Sequence, residues 1–331
     1  MGRDIRLSED RIEGYRHFVN KLWNAARFTL MNLAGENPKP VDLGSVEGLH
    51  HKWILHRLEE VKGEVSSALA NYRFNDAAQA CYKFLWGAFC DWYLELVKPD
   101  MQSEDASRKQ AAQYVLVTVL REILVLLHPI MPFVTAEIWA ALPGSRDLPE
   151  LACMRYPESR PQCQADDDAR NMEFLQEVIV SVRTIKAELN ISPGKKVHLL
   201  LQPVDEAQKA LLLTNAEVIC QVARLEDMRV DLDLQAPRAS ASAVACGCQI
   251  VVPLRGTVDL AGELTRLDKQ LAKLEKNLLN VNRHLQDENF LSRASEEVVA
   301  REKTLSSDLL DKKEKLLAMR ARFAEALAEE A

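Results

Sequence analysis

The sequence predicts a mainly α-helical protein made of an antiparallel helical bundle, a small α+β connector module and an antiparallel coiled-coil hairpin. Three observations predict this fold. Up to about residue 157, apolar residues recur at helical spacing with few strand signals. Short runs that alternate with a period of two follow, and a leucine heptad then runs towards the last residue. The expected domains are the bundle at 1–157, the connector at 158–258 and the coiled-coil arm at 259–331.

Composition is typical of a soluble protein with two or three domains, with 331 residues, 47% hydrophobic and 27% charged. No apolar run approaches the ~18–20 residues that a membrane helix needs, and the start MGRDIRLSED is too charged for a secretory signal. The seven cysteines lack the spacing of a disulfide framework, so we expect a cytoplasmic protein. The net charge of −7 argues against indiscriminate coating of nucleic acid but permits a local basic stripe.

The first helix is amphipathic when 14–32 is placed on a helix that advances roughly 100° per residue, and Ser8 is its expected N-cap. One arc can be buried and carries Tyr15, Phe18, Leu22, Ala25, Ala26, Thr29 and Leu33. The opposite arc is polar and carries Arg16, His17, Asn20, Lys21, Asn24 and Arg27, with Phe28 among them.

Phe28 has two interpretations. An exposed ring beside cations and amides suits single-stranded nucleic acid, because phosphates pair with Arg and Lys, a base stacks on the ring and amides read base edges. Alternatively, Phe28 packs under a neighbouring helix and the charges form a solvated face.

The remaining bundle helices are expected at about 46–71, 74–98, 103–127 and 135–142. Asn75 or Asp76 can cap the second of these, and Pro99 marks its end. Trp86, Trp92 and Trp139 are expected in the bundle core.

The connector is predicted to hold a helix at about 168–189 and a partly antiparallel sheet. Its expected strands are 197–201, 228–232, 243–246 and 249–254, with helix at 207–224. Lysines 186, 195 and 196 lie near its first turn and could contact phosphate, although most such lysines are only solvated.

The last segment contains a heptad seam through Leu260, Leu264, Leu267, Leu271, Leu274, Leu278, Val281 and Leu285. Residues 286–294 interrupt it. A weaker seam follows through Val298, Leu305, Leu309, Leu316, Met319 and Phe323, with Glu302 and Lys312 at seam positions. Two seams of similar length around a short break predict a hairpin whose arms bury each other.

The back of the first arm carries a basic ridge at heptad positions c and f, made of Arg266, Lys269, Lys273, Lys276 and Arg283. Asp268 and Glu275 are confined to e positions. A charged back face is usual for a coiled coil, but a ridge of one sign beside segregated acids fits contact with a phosphate backbone.

Other candidate sites are weak. The pair Cys246 and Cys248 has no nearby histidine pair, so no metal site is predicted there. His50, His51 and His56 have no matching carboxylate pattern nearby that would support a metal or a general base.

Five segments carry a resemblance to one family: GRDIRLSEDRIEGYRHFVNKLWNAARF, FNDAAQACYKFLWGAFCDWYLELVKP, LLHPIMPFVTAEIW, IKAELNISPGKK and PLRGTVDLAGELTRLDKQLAKLEKNL. Together they resemble the anticodon-binding domain and the C-terminal tRNA-binding coiled coil of bacterial valyl-tRNA synthetases. The resemblance covers essentially the whole chain. Isoleucyl and leucyl enzymes share the bundle, whereas the heptad hairpin is the valyl feature.

The resemblance implies that Arg11, Lys21, Arg27 and Phe28 lie where this family contacts the anticodon. The last three are on the polar arc, which also holds Arg16, Asn20 and Asn24 as candidates for the same contact. It implies that the hairpin, with its ridge, braces the outer corner of the tRNA, where the D and T loops meet. The expected partners are valine tRNA and the catalytic domain of the same enzyme, in a monomer.

The resemblance also implies which parts of the enzyme lie elsewhere. The sequence contains no HIGH-type or KMSKS-type signature, no GxGxxG and no P-loop, and the editing domain is missing too. This chain alone is therefore expected to be inactive and to hold no cofactor, with ATP and Mg²⁺ bound by the catalytic domain. Two alternatives remain: a coiled-coil scaffold that binds protein, and a fragment of an isoleucyl or leucyl enzyme.

Overall fold

The computed structural model describes residues 8–237, 240–254, 260–286 and 296–328. They form two compact units, Met1–Phe174 and Leu175–Ala331. The first unit is a bundle of helices, and the second holds a four-stranded sheet and a long helical hairpin. The predicted fold class is confirmed. The boundary between the units falls inside one helix, and the three-part domain division remains a prediction.

The bundle contains seven α-helices and one π-helical segment among its described residues. They are α1 (Glu9–Leu33), α2 (Leu49–Ala70), α3 (Phe74–Lys83), π1 (Phe84–Tyr93), α4 (Leu94–Leu96), α5 (Lys98–Met101), α6 (Ala106–Leu127) and α7 (Pro132–Ala141). Single 3-10 turns follow at Ser145–Asp147, Leu151–Cys153 and Pro161–Cys163. By length and composition α6 could cross a membrane, the one such helix in the part described, but most of it is buried as the core helix of this bundle.

The buried arc of α1 is largely as predicted, because Phe18, Leu22, Ala25, Ala26, Thr29 and Leu33 are all at most 7% exposed. The prediction that Tyr15 is buried with them is wrong, since Tyr15 is 69% exposed. The ring of Phe18 stacks on the ring of Tyr82 in the neighbouring helix α3. Ser8 is the N-cap residue, but its side chain makes no capping hydrogen bond.

The third predicted helix begins at Phe74, so Asn75 and Asp76 lie inside it and neither caps it. Beyond Lys83 it changes to the π-helical segment π1. A π-helix bonds each residue to the one five positions away, and such a segment is rare and often lies at a functional site. The spacing of apolar residues does not reveal this change of hydrogen-bond register.

The second unit begins within α8 (Asp166–Glu188) and contains a mixed sheet. Its elements are β1 (Val197–Gln202), α9 (Glu206–Thr214), α10 (Ala216–Ala223), β2 (Leu225–Val230), β3 (Ser240–Ala245) and β4 (Cys248–Pro253). The strand order is β2-β1-β4-β3, with β1 and β2 parallel and the other pairs antiparallel. This confirms the partly antiparallel sheet, although β2 starts at Leu225 rather than at 228.

Two sequence features of the connector have structural roles. Cys246 and Gly247, with φ of 46° and 79°, form the tight turn between β3 and β4, as in type I′ hairpins. Lys186 is buried, and its ammonium donates to the carbonyl oxygens of Pro193 (3.1 Å) and Lys195 (2.6 Å). It therefore holds the loop before β1, and it is neither a solvated lysine nor one that is exposed to contact phosphate.

The hairpin consists of α11 (Leu260–Gln286) and α12 (Glu296–Ala328). The seam of α11 is confirmed, because Leu260, Leu267, Leu271, Leu274 and Val281 are at most 8% exposed. These leucines are covered by the second arm of the same chain, with which α11 makes its main contacts.

The seam of α12 differs in register from the prediction at two positions. Leu305 is 43% exposed and Lys312 is also exposed, so neither belongs to the seam. Ser306 faces α11 instead, with its hydroxyl 3.2 Å from Asn282 Oδ1. Lys313 likewise reaches across to Glu275. Polar pairs between the arms take the places expected for Leu305 and Lys312.

Candidate nucleic-acid interface

The polar arc of α1 is on the surface. Arg16, Asn20, Asn24 and Arg27 are exposed, while Phe28 is half-buried, between its two sequence interpretations. Arg16 pairs with Glu13 of its own helix at 3.2 Å. Arg11 lies on the same helix, with its side chain outside the described part of the structure. The polar arc of this helix therefore presents cations, amides and part of one ring to solvent.

Lys21 is held in place by two residues of π1. Its Nζ lies 2.7 Å from Asp91 Oδ1 and 5.0 Å from the centroid of the Trp86 ring. Beneath Trp86, the rings of Tyr82 and Phe18 continue a stacked column, with centroid separations of 5.7 and 5.0 Å. The sequence predicted Trp86 in the core and gave no sign of Asp91. Trp86 is half-buried, and the Lys21 ammonium lies over its ring.

The basic ridge of α11 has its cations in solvent. Lys269, Lys273, Lys276 and Arg283 are exposed, and none of them forms an ion pair with another described residue. Arg266 is half-buried and has an interaction partner.

Two acids of α11, Asp268 and Glu275, form ion pairs within the hairpin. Asp268 accepts from Arg320 Nε at 2.5 Å, and Glu275 pairs with Lys313 at 2.7 Å, both on α12. Acids at e positions commonly join coiled-coil helices in this way. The charges of Asp268 and Glu275 are thus balanced by cations of the second arm rather than by the ridge.

Two family models match the chain. The family described as "Anticodon-binding domain of tRNA ligase" matches residues 51–201. The family described as "Valyl tRNA synthetase tRNA binding arm" matches residues 259–324, which contain α11 and most of α12.

Full-length comparison extends the similarity to α1. The chain is 53% identical over 99% of its length to a valine–tRNA ligase of Nitratidesulfovibrio vulgaris. It is 43% identical over 96% of its length to that of Geobacter sulfurreducens, and 34% identical over 98% to that of Geobacillus stearothermophilus. The chain belongs to the valyl-tRNA synthetase family. It spans only 36–37% of the length of these three relatives.

The comparisons distinguish a part of a valyl enzyme from a part of an isoleucyl or leucyl enzyme. The bundle matches a domain described for tRNA ligases in general, whereas the hairpin matches an arm described for valyl-tRNA synthetases. The family comparison thus favours a valyl fragment over an isoleucyl or leucyl one, and it rests on the hairpin.

A buried polar cluster in the bundle was missed because its parts are far apart in the sequence. His50 Nε2 and His51 Nε2 lie 2.7 and 2.9 Å from Asp100 Oδ2, and Arg108 Nε donates to Asp100 Oδ1 at 2.6 Å. The remaining nitrogen of His51 lies 2.9 Å from the Tyr93 hydroxyl. Asp100 supplies the carboxylate that is not visible around the histidines in the sequence.

Among the described residues, His50, His51 and Asp100 form the one group of three side chains whose donor atoms are close enough together to hold a metal ion. The donor set does not fit a cation, because each imidazole already directs Nε2 at the carboxylate and the Arg108 guanidinium lies beside it. Burial opposes ionisation of Asp100, but the bonds from His50 and His51 outweigh it and hold its pKa well below the usual range. The cluster therefore acts as a hydrogen-bonded joint between α2, α5 and α6.

The cluster predicts acid sensitivity of the bundle. Burial, and then the charge of His50, lower the pKa of His51 from 6.5 to about 4. The unfolded chain binds this proton more readily, so His51 stabilises the fold above about pH 6.5 and loses that contribution, about 3 kcal/mol, as pH falls through 4. The low pKa of Asp100 adds a further loss below about pH 4.

Urea unfolding measured from pH 8 to 4 will check this expectation. The variant His51→Gln is expected to be less stable at pH 7 but to lose most of the pH dependence between 6.5 and 4. Exposed His17→Gln is the control and should keep the wild-type slope. Equal slopes in all three proteins would contradict the role given to His51.

Proposed function

We propose that this chain is the tRNA-recognition part of a valine–tRNA ligase. The bundle binds the anticodon stem-loop of valine tRNA, and the basic ridge of the hairpin braces the elbow, where the D and T loops meet. Aminoacylation with valine, with its ATP and Mg²⁺, belongs to the catalytic domain of the parent enzyme. The proposed setting is a cytoplasmic monomer.

The observation that carries this proposal is the unneutralised ridge. Four cations repeat along one face of α11 while Asp268 and Glu275 are paired with the second arm. Contacts of Lys and Arg with phosphates release condensed counterions, which supplies affinity without reading sequence. Such contacts suit a surface that fixes the position of a tRNA rather than its identity.

The bundle supplies the other half of the proposed mechanism. Sequence-specific recognition of RNA targets unpaired loops, whose bases stack on aromatic rings and are read along their edges. The polar arc of α1 offers Asn24, Arg27 and the partly exposed ring of Phe28 for this purpose. Binding at both surfaces would aim the acceptor end of the tRNA at the active site of the parent enzyme.

The burial of the heptad seam weighs against the scaffold alternative. A hairpin that recruits helices from other proteins needs an accessible apolar seam. Here Leu267 and Phe323 are fully buried between the two arms. The basic ridge is the charged face that α11 leaves exposed, and it favours a polyanion.

Binding assays with exchanged tRNAs will test the proposed function. Labelled valine tRNA is expected to bind more tightly than isoleucine tRNA or valine tRNA with its anticodon loop replaced. Binding should weaken as salt increases. Equal affinity for all three RNAs would remove the recognition role, and undetectable binding at low salt would remove the tRNA role altogether.

Substitution of Phe28 tests the bundle site directly. Stacking of a base on an aromatic ring is worth about 1–3 kcal/mol, so Phe28→Ala is expected to weaken binding of valine tRNA roughly five- to 150-fold. Phe28→Tyr should retain most of the affinity because it keeps the ring face. Tyr15→Ala removes an exposed ring from another side of the same helix and serves as the control.

Thermal melting of the same proteins separates binding from folding. A fully buried Phe costs about 3–5 kcal/mol when changed to Ala, so a half-buried Phe28 is expected to cost less. A normal melt with unchanged affinity for valine tRNA would refute the assignment of Phe28.

A further inference from the structure

A group of cations lies at one end of the connector sheet, where the parallel strands β1 and β2 begin side by side. Val197 of β1 pairs with Leu225 of β2, and the N–H of Val197 donates to the carbonyl oxygen of Arg224 at 3.3 Å. The residues that precede the two strands are therefore neighbours. They are Lys196 and Arg224, and Lys195 comes directly before Lys196.

The side chains of Lys195, Lys196 and Arg224 are exposed, and none of them forms an ion pair with another described residue. Glu188 and Glu226 are the acids closest to them in the sequence, and both are exposed without pairing to any of the three. The positive charge of these three residues, which we call the connector cluster, is therefore not balanced by ion pairs within the described part of the chain.

A buried lysine lies behind the connector cluster. Lys186 is 4% exposed, and its Nζ donates to the carbonyl oxygens of Pro193 and Lys195. Among the described residues no carboxylate pairs with it, although buried charges are usually paired with an opposite charge. Burial, and then the charges of Arg224 and Arg183, lower the pKa of Lys186 below its usual value. The charged groups that act on this ammonium are thus positive, and the region lacks a compensating anion.

The backbone holds the connector cluster in place. The N–H of Lys195 donates to the carbonyl oxygen of Ser192 at 2.9 Å, and its own carbonyl accepts from Lys186. Arg224 is the C-cap of α10, with φ of 56° and its N–H donating to carbonyl oxygens in the last turn of that helix. Cations on an ordered backbone lose less conformational freedom when an anion binds.

An RNA backbone is the polyanion that suits these residues. The three side chains are exposed, so an extended chain of phosphates can reach all of them. Lys and Arg contacts with phosphates supply affinity and fix position without reading sequence. The chain also carries an arm whose family model is described as tRNA-binding, so a tRNA is the polyanion already proposed as its partner.

We propose that Lys195, Lys196 and Arg224 bind the sugar–phosphate backbone of the tRNA, in addition to the contacts proposed for α1 and for the ridge of α11. Lys186 is a positioning residue, which holds the carbonyl of Lys195 and adds a positive charge behind the cluster. This inference rests on the proposed function for the identity of the RNA, and it gives the connector a binding role of its own.

The competing explanation is that these cations only stabilise helix ends. Cations are favourable at a helix C-terminus. Arg224 caps α10, and Arg183 donates to the carbonyl oxygen of Val222 at 3.2 Å near the same end. If this is their whole role, removing their charge lowers the stability of the connector and leaves RNA binding unchanged.

The experiment measures the affinity of the full chain for valine tRNA against salt concentration. Each phosphate contact contributes about 0.7 to the log–log slope on single strands and about 0.9 on duplex. The double variant Lys195→Gln with Lys196→Gln is therefore expected to make the slope shallower by about 1.4–1.8. Lys209→Gln with Arg229→Gln is the control, because it makes the same change in charge at connector cations that already pair with acids. It should leave the slope near the wild-type value.

A substitution of Arg224 separates binding from folding. Glycine adopts a φ of 56° without strain and is the usual residue at the left-handed end of a helix, so Arg224→Gly is expected to melt no lower than the wild type. It should nevertheless make the slope shallower by about 0.7–0.9. A role confined to the end of α10 predicts an unchanged slope instead.

The outcomes distinguish this inference from the proposed function. If the wild type binds no tRNA, the proposed function fails and this inference with it. If the wild type binds and both the double lysine variant and Arg224→Gly keep its slope, only this inference is overturned. Equal losses in the double lysine variant and its control would also overturn it, because total charge would then explain binding. Circular dichroism of each variant must match the wild type, and if the double lysine variant is misfolded the slope of Arg224→Gly decides.

Discussion

Replacing Lys62 with methionine is expected to lower the free energy of unfolding of the bundle by about 3–5 kcal/mol. Lys62 is 2% exposed, with its ammonium 2.6 Å from Glu59 and 2.5 Å from Glu122. Arg160 completes the network through its backbone N–H, 2.6 Å from Glu59, and its guanidinium, which pairs with both acids. Two cations balance two acids, so loss of Lys62 leaves a buried carboxylate without its counter-charge.

Chemical denaturation of three variants will measure this effect. Lys98→Met removes a lysine from a much more exposed pair of the same spacing, with Glu95, and should cost less than about 1 kcal/mol. The double variant Lys62→Met with Glu59→Gln restores charge balance and is expected to be more stable than Lys62→Met alone. A double variant no more stable than the single one would show that charge balance is not what stabilises this site.

Reversing three charges of the ridge is expected to produce the largest loss of RNA binding. Lys269, Lys273 and Lys276 changed together to Glu remove three phosphate contacts, each worth about 0.9 in the log–log slope of affinity against salt on duplex nucleic acid. The slope should become shallower by about 2.7 in total. The fold should survive, because these side chains face away from the seam and pair with no other described residue.

The matched control makes the same change in net charge on the other arm. Lys303, Lys312 and Arg322 are exposed on α12, and their replacement by Glu should reduce the slope much less. Fluorescence titrations of valine tRNA between 50 mM and 200 mM salt, a range in which such contacts are strongly resolved, will give both slopes. Equal effects of the two triple variants would show that binding depends on total charge rather than on the ridge.

Local periodicity explains which parts of the fold could be predicted from sequence. Burial of one helix face or one heptad seam repeats every few residues, so the arc from Phe18 to Leu33 and the leucines of α11 could be identified from the sequence. The same heptad pattern predicted that the cations of the ridge lie on the side of α11 opposite the seam. The structure adds why the acids Asp268 and Glu275 are segregated, which is that they bind the second arm.

Contacts between distant segments explain what could not be predicted. Apart from the pairing of strands, the main examples are contacts between polar side chains. Glu59 pairs with Arg160, and His50 lies within hydrogen-bonding distance of Asp100. No spacing rule relates residues so far apart in the chain. The spacing of apolar residues does not reveal the π-helical hydrogen bonding of π1. The contact between Asp91 and Lys21 therefore could not be predicted from the sequence.

Footprinting of the tRNA tests most directly whether the chain holds it at two separate surfaces. Hydroxyl-radical cleavage of valine tRNA in the presence of the chain is expected to show protection of the anticodon loop and of the backbone where the D and T loops meet. The ridge variant should lose the elbow protection alone, and Phe28→Ala should weaken the anticodon-loop protection first. Protection at neither place, or elbow protection that survives reversal of the ridge, would contradict the account.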